Sequence, residues 1–174
     1  AQRGGGWMDA TVKALINEQI THEFYAAYLY LAMAAHFEEQ NYEGFAQWFR
    51  MQAKEEEAHA MKLFDFLVER GERIELKQID QPPVEFGQPV DAFRAALEHE
   101  QKVTGLINEI YETALEAKDY PTQVMLQWFI EEQVEEEDTT GTAVERLEMA
   151  GDNNAALMFL DSEFGKRSTG AHEH

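Results

Sequence analysis

The sequence contains no cysteine, which excludes disulfides, zinc–thiolate sites, iron–sulfur clusters and thiol nucleophiles together. It has only four prolines. Pro82, Pro83 and Pro89 share one stretch and Pro121 stands alone, so the intervals between them are long enough for unbroken helices. Basic residues are also scarce: 14 Lys and Arg stand against 34 Asp and Glu, a formal charge of −20. Such a chain is a poor partner for nucleic acid or an anionic membrane surface, and it attracts cations instead. No apolar run is long enough to span a bilayer. The longest, Phe24 to Ala35, is flanked by Glu23 and Glu38, whereas a span needs about 20 apolar residues. No charged-then-apolar signal pattern precedes it. The expected compartment is the cytoplasm, with an upstream segment removed before Ala1 left open.

What is present suits one domain with a sizeable core: 174 residues, 44% of them hydrophobic. Residues 1–8 and 168–174 read as flexible ends, with His172 and His174 as tail residues, and the domain covers 9–167. The spacing predicts a first helix from Asp9, a plausible N-cap, to Glu39. A second helix follows the turn at Asn41–Gly44 and runs to Arg70, where Gly71 is a good stop. A link over 71–89, with some β-like character at Ile74, Leu76 and Ile79, leads to a third helix from Val90 or Asp91 to Lys118. The fourth begins with Pro121 in its first position and ends near Gly151, and a short fifth spans Asn153 to Phe164. Helices of nearly thirty residues are about 40–45 Å long at 1.5 Å per residue. The short turns make the first and second helices antiparallel, and likewise the third and fourth. The 71–89 link is long enough, at about 3.3 Å per extended residue, to travel the full bundle. The expected fold is an all-α four-helix bundle with one long crossover and a short C-terminal helix.

Each long helix then shows an acid on its apolar face. Steps of three and four give Val12, Ile16, Gln19, Glu23, Ala27 and Tyr30 on the first, and Phe45, Phe49, Gln52, Glu56, His59 and Leu63 on the second. They give Phe93, Leu97, Glu100, Thr104 and Ile107 on the third, and Leu126, Phe129, Gln133, Glu136 and Thr140 on the fourth. A bundle wants aliphatic side chains at these places, and four buried carboxylates are costly without positive charge between them. Lys54 is the only basic residue nearby in sequence, and its helical phase faces away. A pair of divalent cations held by carboxylates and the His59 imidazole resolves the conflict. Glu56 and His59, three residues apart, point to one side of their helix and can share an ion. The acids of 131–137 taken alone read as solvated surface. Met33, Met51, Met61, Met125 and Met158 read as packing, as do Tyr25 and Tyr28. His22, His36 and His99 read as structural.

The segments Asn17–Tyr25, Glu55–Met61, His99–Gln101 and Gln127–Glu137 resemble the non-haem bacterial ferritins, and the resemblance covers residues 9–167. It implies a ferritin-like bundle with a ferroxidase centre inside each subunit. Glu23, Glu56 and His59 would hold a first iron, and Glu56 would bridge to a second held with Glu100 and Glu136. Gln133 would sit beside it through a hydrogen bond or a water, and Tyr30 would lie near as an electron donor. A third iron site would use Glu55, Glu132 and Glu135, with Glu136 shared. The second motif is Gln133-x-x-Glu136 rather than a second Glu-x-x-His, which disfavours the bacterioferritin branch. Glu57 stands where that branch carries a haem-binding Met, so no haem is expected. The resemblance further implies Fe²⁺ and O₂, or peroxide, as reactants, and a hollow homo-oligomeric shell of 24 subunits storing ferric mineral. Where animal ferritins carry acids along an iron route, this chain has Gln123 and Leu126, so another route is expected.

Two alternatives are weighed against storage. A di-iron oxidase or peroxide-detoxifying enzyme without a storage role fits less well, since such enzymes normally carry two Glu-x-x-His motifs or a cysteine-bound iron domain. A metal-free acidic scaffold fits least, because of the acids at the middle of the core.

Overall fold

The computed structural model describes residues 8–167. The ends expected to be flexible therefore lie outside the described residues, His172 and His174 included. Met8 is the exception: it is buried in the same apolar cluster as Val12 and Ile16. Among the described residues the regular structure is five helices: α1 (Ala10–Glu39), α2 (Glu43–Glu69), α3 (Pro89–Glu116), α4 (Tyr120–Ala150) and α5 (Asn154–Phe164). None is long and apolar enough to cross a membrane. The long helices form two antiparallel hairpins, α1–α2 and α3–α4, and the 70–88 link carries the chain between them.

The helix ends follow local chemistry. The Asp9 carboxylate accepts from the Thr11 and Val12 amides at 2.9 and 3.1 Å, which satisfies two of the unpaired donors of the first turn. Gly71 stops α2 with φ of 71°, a conformation glycine adopts without steric cost. The helix α3 starts at Pro89, ahead of Val90, because proline's fixed φ suits a first turn. It ends at Glu116, short of Lys118, which adopts φ of 55°. Asp119 caps α4 through the Thr122 amide and hydroxyl, so Pro121 stands in the second helical position rather than the first. Arg70 donates to the same carboxylate at 2.9 Å and ties the end of α2 to the start of α4.

The link forms no strand; two clamps on α1 hold it instead. Asn17 donates its amide to the Arg73 carbonyl and accepts from the Glu75 amide, and His36 does the equivalent for Gly87 and Phe86. Both side chains thus satisfy backbone groups that no ladder provides for. His36 is structural, as the sequence suggests. Three packing expectations need correction. Tyr28, Met61 and Met158 are 52%, 40% and 71% exposed, because their positions in α1, α2 and α5 face outward while their neighbours fill the core.

The core is in two parts. One, rich in aromatics, gathers Phe37, Phe45, Phe49, Trp48, Phe93 and Phe164. The other is largely aliphatic and gathers Val12, Ile16, Leu63, Leu67, Ile107 and Leu126. On every long helix the residues between the two clusters are the polar ones: Gln19 and Glu23, Gln52, Glu56 and His59, Glu100, then Gln133, Glu136 and Thr140, all buried.

The short α5 is seated on the start of α2. Its Asp161 carboxylate accepts from the Phe45 amide at 2.8 Å, and Phe164 packs edge-on to Phe45 and Phe93. The fit depends on Gly44, where an added Cβ would lie 1.6 Å from the Asp161 carbonyl oxygen. Gly44→Ala should therefore destabilise the chain by about 1–3 kcal/mol. Gly105→Ala, in mid-α3 with no atom within 4 Å of the new methyl, should be neutral or stabilising by up to about 1 kcal/mol. Thermal unfolding of the two variants checks the contrast. Equal melting points would show that α5 shifts freely on α2.

Candidate metal centre

The polar layer brings together the glutamates singled out by the stripe pattern. Three groups of side chains have ligand atoms within 4.8 Å of one another: Glu23, Glu56 and His59; Glu56, Glu100 and Glu136; and His59, Glu132 and Glu136. Glu56 is common to the first two, the position expected of a bridge. The supporting hydrogen bonds come from amides. Gln19 donates to Glu23 at 3.1 Å, and Gln52 donates to Glu56 at 2.9 Å and across the bundle to Glu136 at 2.7 Å. Gln133 donates to Glu100 at 3.2 Å, and the Tyr30 hydroxyl donates to the other Glu100 oxygen at 2.5 Å. Tyr30 and Gln133 therefore both orient Glu100.

Four atoms of these convergent groups are buried without a hydrogen-bond partner: Glu23 Oε2, Glu56 Oε2, Glu136 Oε1 and His59 Nδ1. His59 Nδ1 lies 3.2 Å from Glu56 Oε2 and 3.9 Å from Glu23 Oε2, near in distance but not aligned as a hydrogen bond. Unpaired buried polar atoms are rare in native proteins. These four belong to the convergent groups, which suits hard carboxylate oxygens and one imidazole nitrogen around cations, whereas Thr21 Oγ1, His99 Nε2 and Arg167 Nη1, also unpartnered, lie outside them. Trp128 stands edge-on to His59 at 5.3 Å, with Lys62 Nζ 3.5 Å over its ring.

The electrostatics of the protein atoms alone are strained. Burial, and then the charge of Glu56, pushes the Glu100 carboxyl well above the usual range; burial and the charges of Glu100 and Glu56 do the same to Glu136. Glu56 rises to about 7, with burial the main cause and His59 opposing it. For His59, burial acts downward, but the charges of Glu56, Glu23 and Glu136 prevail and hold it at about 10. Tyr30 is pushed up by burial and by Glu100. His99, behind Tyr30, falls to about 4 through burial and the nearby Lys102 and His22, so its neutral ring serves as packing against Tyr25 and Tyr30.

The remaining sequence-predicted residues sit at the edge. Glu132 is half-buried and joins a convergent group; Glu135 is exposed. Glu55 is half-buried and lies 3.1 Å from Arg167. Leu126 is a core side chain and Gln123 donates to the Ala114 carbonyl. The stripes give no role to two contributors, Gln52 and Arg167. Gln52 lies on the α2 stripe one turn before Glu56, as Gln19 lies one turn before Glu23, and that repeated Gln-x-x-x-Glu is the available signal. Arg167 brings a cation to the layer from 112 residues beyond Glu55, where no local pattern could point to it.

A four-helix bundle with one long crossover and a carboxylate–histidine layer at its middle is the architecture of ferritin-like proteins. The sequence profile of the ferritin-like domain matches residues 13–150. The chain is 39% identical over 153 residues to the bacterial non-heme ferritin of Staphylococcus aureus (strain USA300), covering 88% of this chain and 92% of that one. Identity to the bacterial non-heme ferritin of Staphylococcus haemolyticus (strain JCSC1435) is 41% over the same shares. Among solved structures, an open pore ferritin from the hyperthermophilic archaeon Archaeoglobus fulgidus superposes with a TM-score of 0.92 at 43% identity, over 92% of this chain and 99% of that one. An engineered closed form of the A. fulgidus ferritin gives 0.91 at 44%, over 93% and 99%. This chain belongs to the ferritin family.

The raised values of the layer have a consequence for stability. A carboxyl whose folded pKa lies above its unfolded value is accommodated while protonated and costs stability as it ionises, from about pH 4.5 upward to about 7 for Glu56. His59 has the same sign, its contribution present below about 6.5 and lost toward 10. Chelator-treated protein should thus melt lower as pH rises from about 5 to 9. At about pH 8 Glu136→Gln should stabilise the chelated protein by roughly 1–4 kcal/mol and forfeit the stabilisation that Zn²⁺ gives the parent. Parallel melting curves for the two proteins with and without Zn²⁺ would count against a cation site at Glu136.

Proposed function

We propose that this chain stores iron and oxidises it, binding Fe²⁺ at the layer and passing Fe³⁺ to a mineral inside a hollow homo-oligomer. The observation that carries the reading is the set of unpaired, desolvated ligand atoms on Glu23, Glu56, His59 and Glu136, converging from three helices. In this reading Glu23, Glu56 and His59 take one ferrous ion. Glu56, Glu100 and Glu136 take the second, and Gln133 and Tyr30 keep Glu100 in place. Ion binding displaces protons from the carboxyls that burial keeps protonated. Carboxylate oxygens favour the ferric state, being hard donors. Each ferrous ion gives one electron, and the pair reduces dioxygen to peroxide with the uptake of two protons. In the same reading Glu55, Glu132 and Glu135, with Glu136 shared, take a third ion; of these Glu132 and Glu136 fall in one convergent group.

Support for assembly comes from the surface. Tyr28 and Leu31 on α1 line an exposed apolar groove with Ile79, Pro82, Pro83 and Val84 of the link. Contiguous apolar patches of this kind suit subunit packing, as do the exposed Met158 and Phe159 of α5. A 24-subunit shell is the assembly that family membership suggests.

The test is aerobic Fe²⁺ loading followed by sizing and electron microscopy, which should give shells with electron-dense cores. Small oligomers that oxidise iron without retaining it would favour the oxidase alternative. Glu56→Ala and His59→Ala should each slow Fe²⁺ oxidation by roughly 10- to 100-fold or more. Unchanged oxidation rates would remove the proposed centre.

A further inference from the structure

Arg167 follows α5 and turns its guanidinium inward, with its side chain 9% exposed. One nitrogen, Nη2, donates to Gln52 Oε1 at 2.8 Å and to Glu55 Oε2 at 3.1 Å. The group also covers the Trp48 ring at 4.4 Å from its centroid. The other nitrogen, Nη1, is buried without a hydrogen-bond partner. Gln52 carries the contact onward, since its amide holds both Glu56 and Glu136. The guanidinium is not carried by a loose chain. The Asp161 cap on the Phe45 amide, the Gly44 approach and the Phe164 packing seat α5 beside α2, where Glu55 and Gln52 lie.

A carboxylate that faces a buried, bidentate-capable cation is less available to a metal ion, because the two compete for the same negative charge. We infer that Arg167 is a built-in competitor for the third iron position, holding Glu55 so that guanidinium and ferrous ion are alternative partners of that carboxylate. The inference rests on the reading of Glu55, Glu132 and Glu135 as a third site. In that role Arg167 is a positioning residue: it keeps the outer position weak and hence quick to empty toward storage.

The test is anaerobic calorimetric titration of Fe²⁺ into metal-free full chain, as wild type, Arg167→Gln, Arg167→Lys, Glu55→Gln and the Arg167→Gln/Glu55→Gln pair. The third equivalent per subunit should bind about tenfold tighter in Arg167→Gln, with the first two within about twofold. Arg167→Lys should stay near wild type, and Glu55→Gln should abolish the gain in the double variant. An Arg167→Gln affinity equal to wild type, for a third equivalent that Glu55→Gln removes, would overturn the competition while leaving the third site in place. A third equivalent that is absent, or indifferent to Glu55→Gln, would overturn the inference together with the site it rests on. Loss of all three equivalents with a lowered melting point in Arg167→Gln would make Arg167 a strut of α5 and overturn it too. A second readout needs no change at Arg167. The third equivalent should alter tryptophan emission as the guanidinium leaves Trp48, and Trp48→Phe should remove that change; a third equivalent silent in wild type would count against the inference.

Discussion

Four buried carboxylates at one level of a helical bundle are the constraint on which the rest of this structure depends. Glu23, Glu56, Glu100 and Glu136 lie between an aromatic cluster and an aliphatic one, so the chain has two cores that must be stable enough to carry the layer between them. Amide side chains are the compromise at the boundary. Gln19, Gln52 and Gln133 satisfy one oxygen of each neighbouring carboxylate by hydrogen bonds, yet they add no positive charge. The layer therefore keeps both its shape and its appetite for cations. A set of lysines would have provided neutrality and removed the appetite.

Much of this arrangement is legible in the sequence, and the legible parts are local. Asp9 and Gly71 mark helix ends because caps and stops act within one turn of the chain. The four glutamates are legible because each interrupts an apolar stripe, and a single stripe needs no knowledge of its neighbours. Cross-bundle relations are different. Gln52 reaching Glu136, or Arg167 reaching Glu55, depends on how helices are packed, which no single-helix periodicity contains. The misplacement of Tyr28, Met61 and Met158 has the opposite origin. Their residue types suggest burial, yet Tyr28 and Met61 lie off the stripes traced on their helices, so helical phase places them outward where residue type alone does not.

The strong acidity of the chain resolves into unequal parts. Exposed acids such as Glu39 and Glu116 sit in high dielectric and are screened by salt, so they act on cations only diffusely. The buried acids feel a low-dielectric surrounding in which each charge raises the proton affinity of the next. The same residue type thus occupies two electrostatic settings, screened at the surface and mutually coupled inside.

The division of the bundle into two hairpins bears on how the molecule is made. Glu23, Glu56 and His59 all lie on the α1–α2 hairpin, whereas Glu100, Gln133 and Glu136 lie on α3–α4. Each hairpin closes through a short turn, which is fast, but joining them requires the long 70–88 link to traverse the bundle. The docking of the hairpins is also the step that presses the two halves of the carboxylate layer together. Repulsion across that seam opposes the last stage of folding, and protons or cations relieve it. The ionic composition of the medium is in this way a kinetic variable for the folding of the chain.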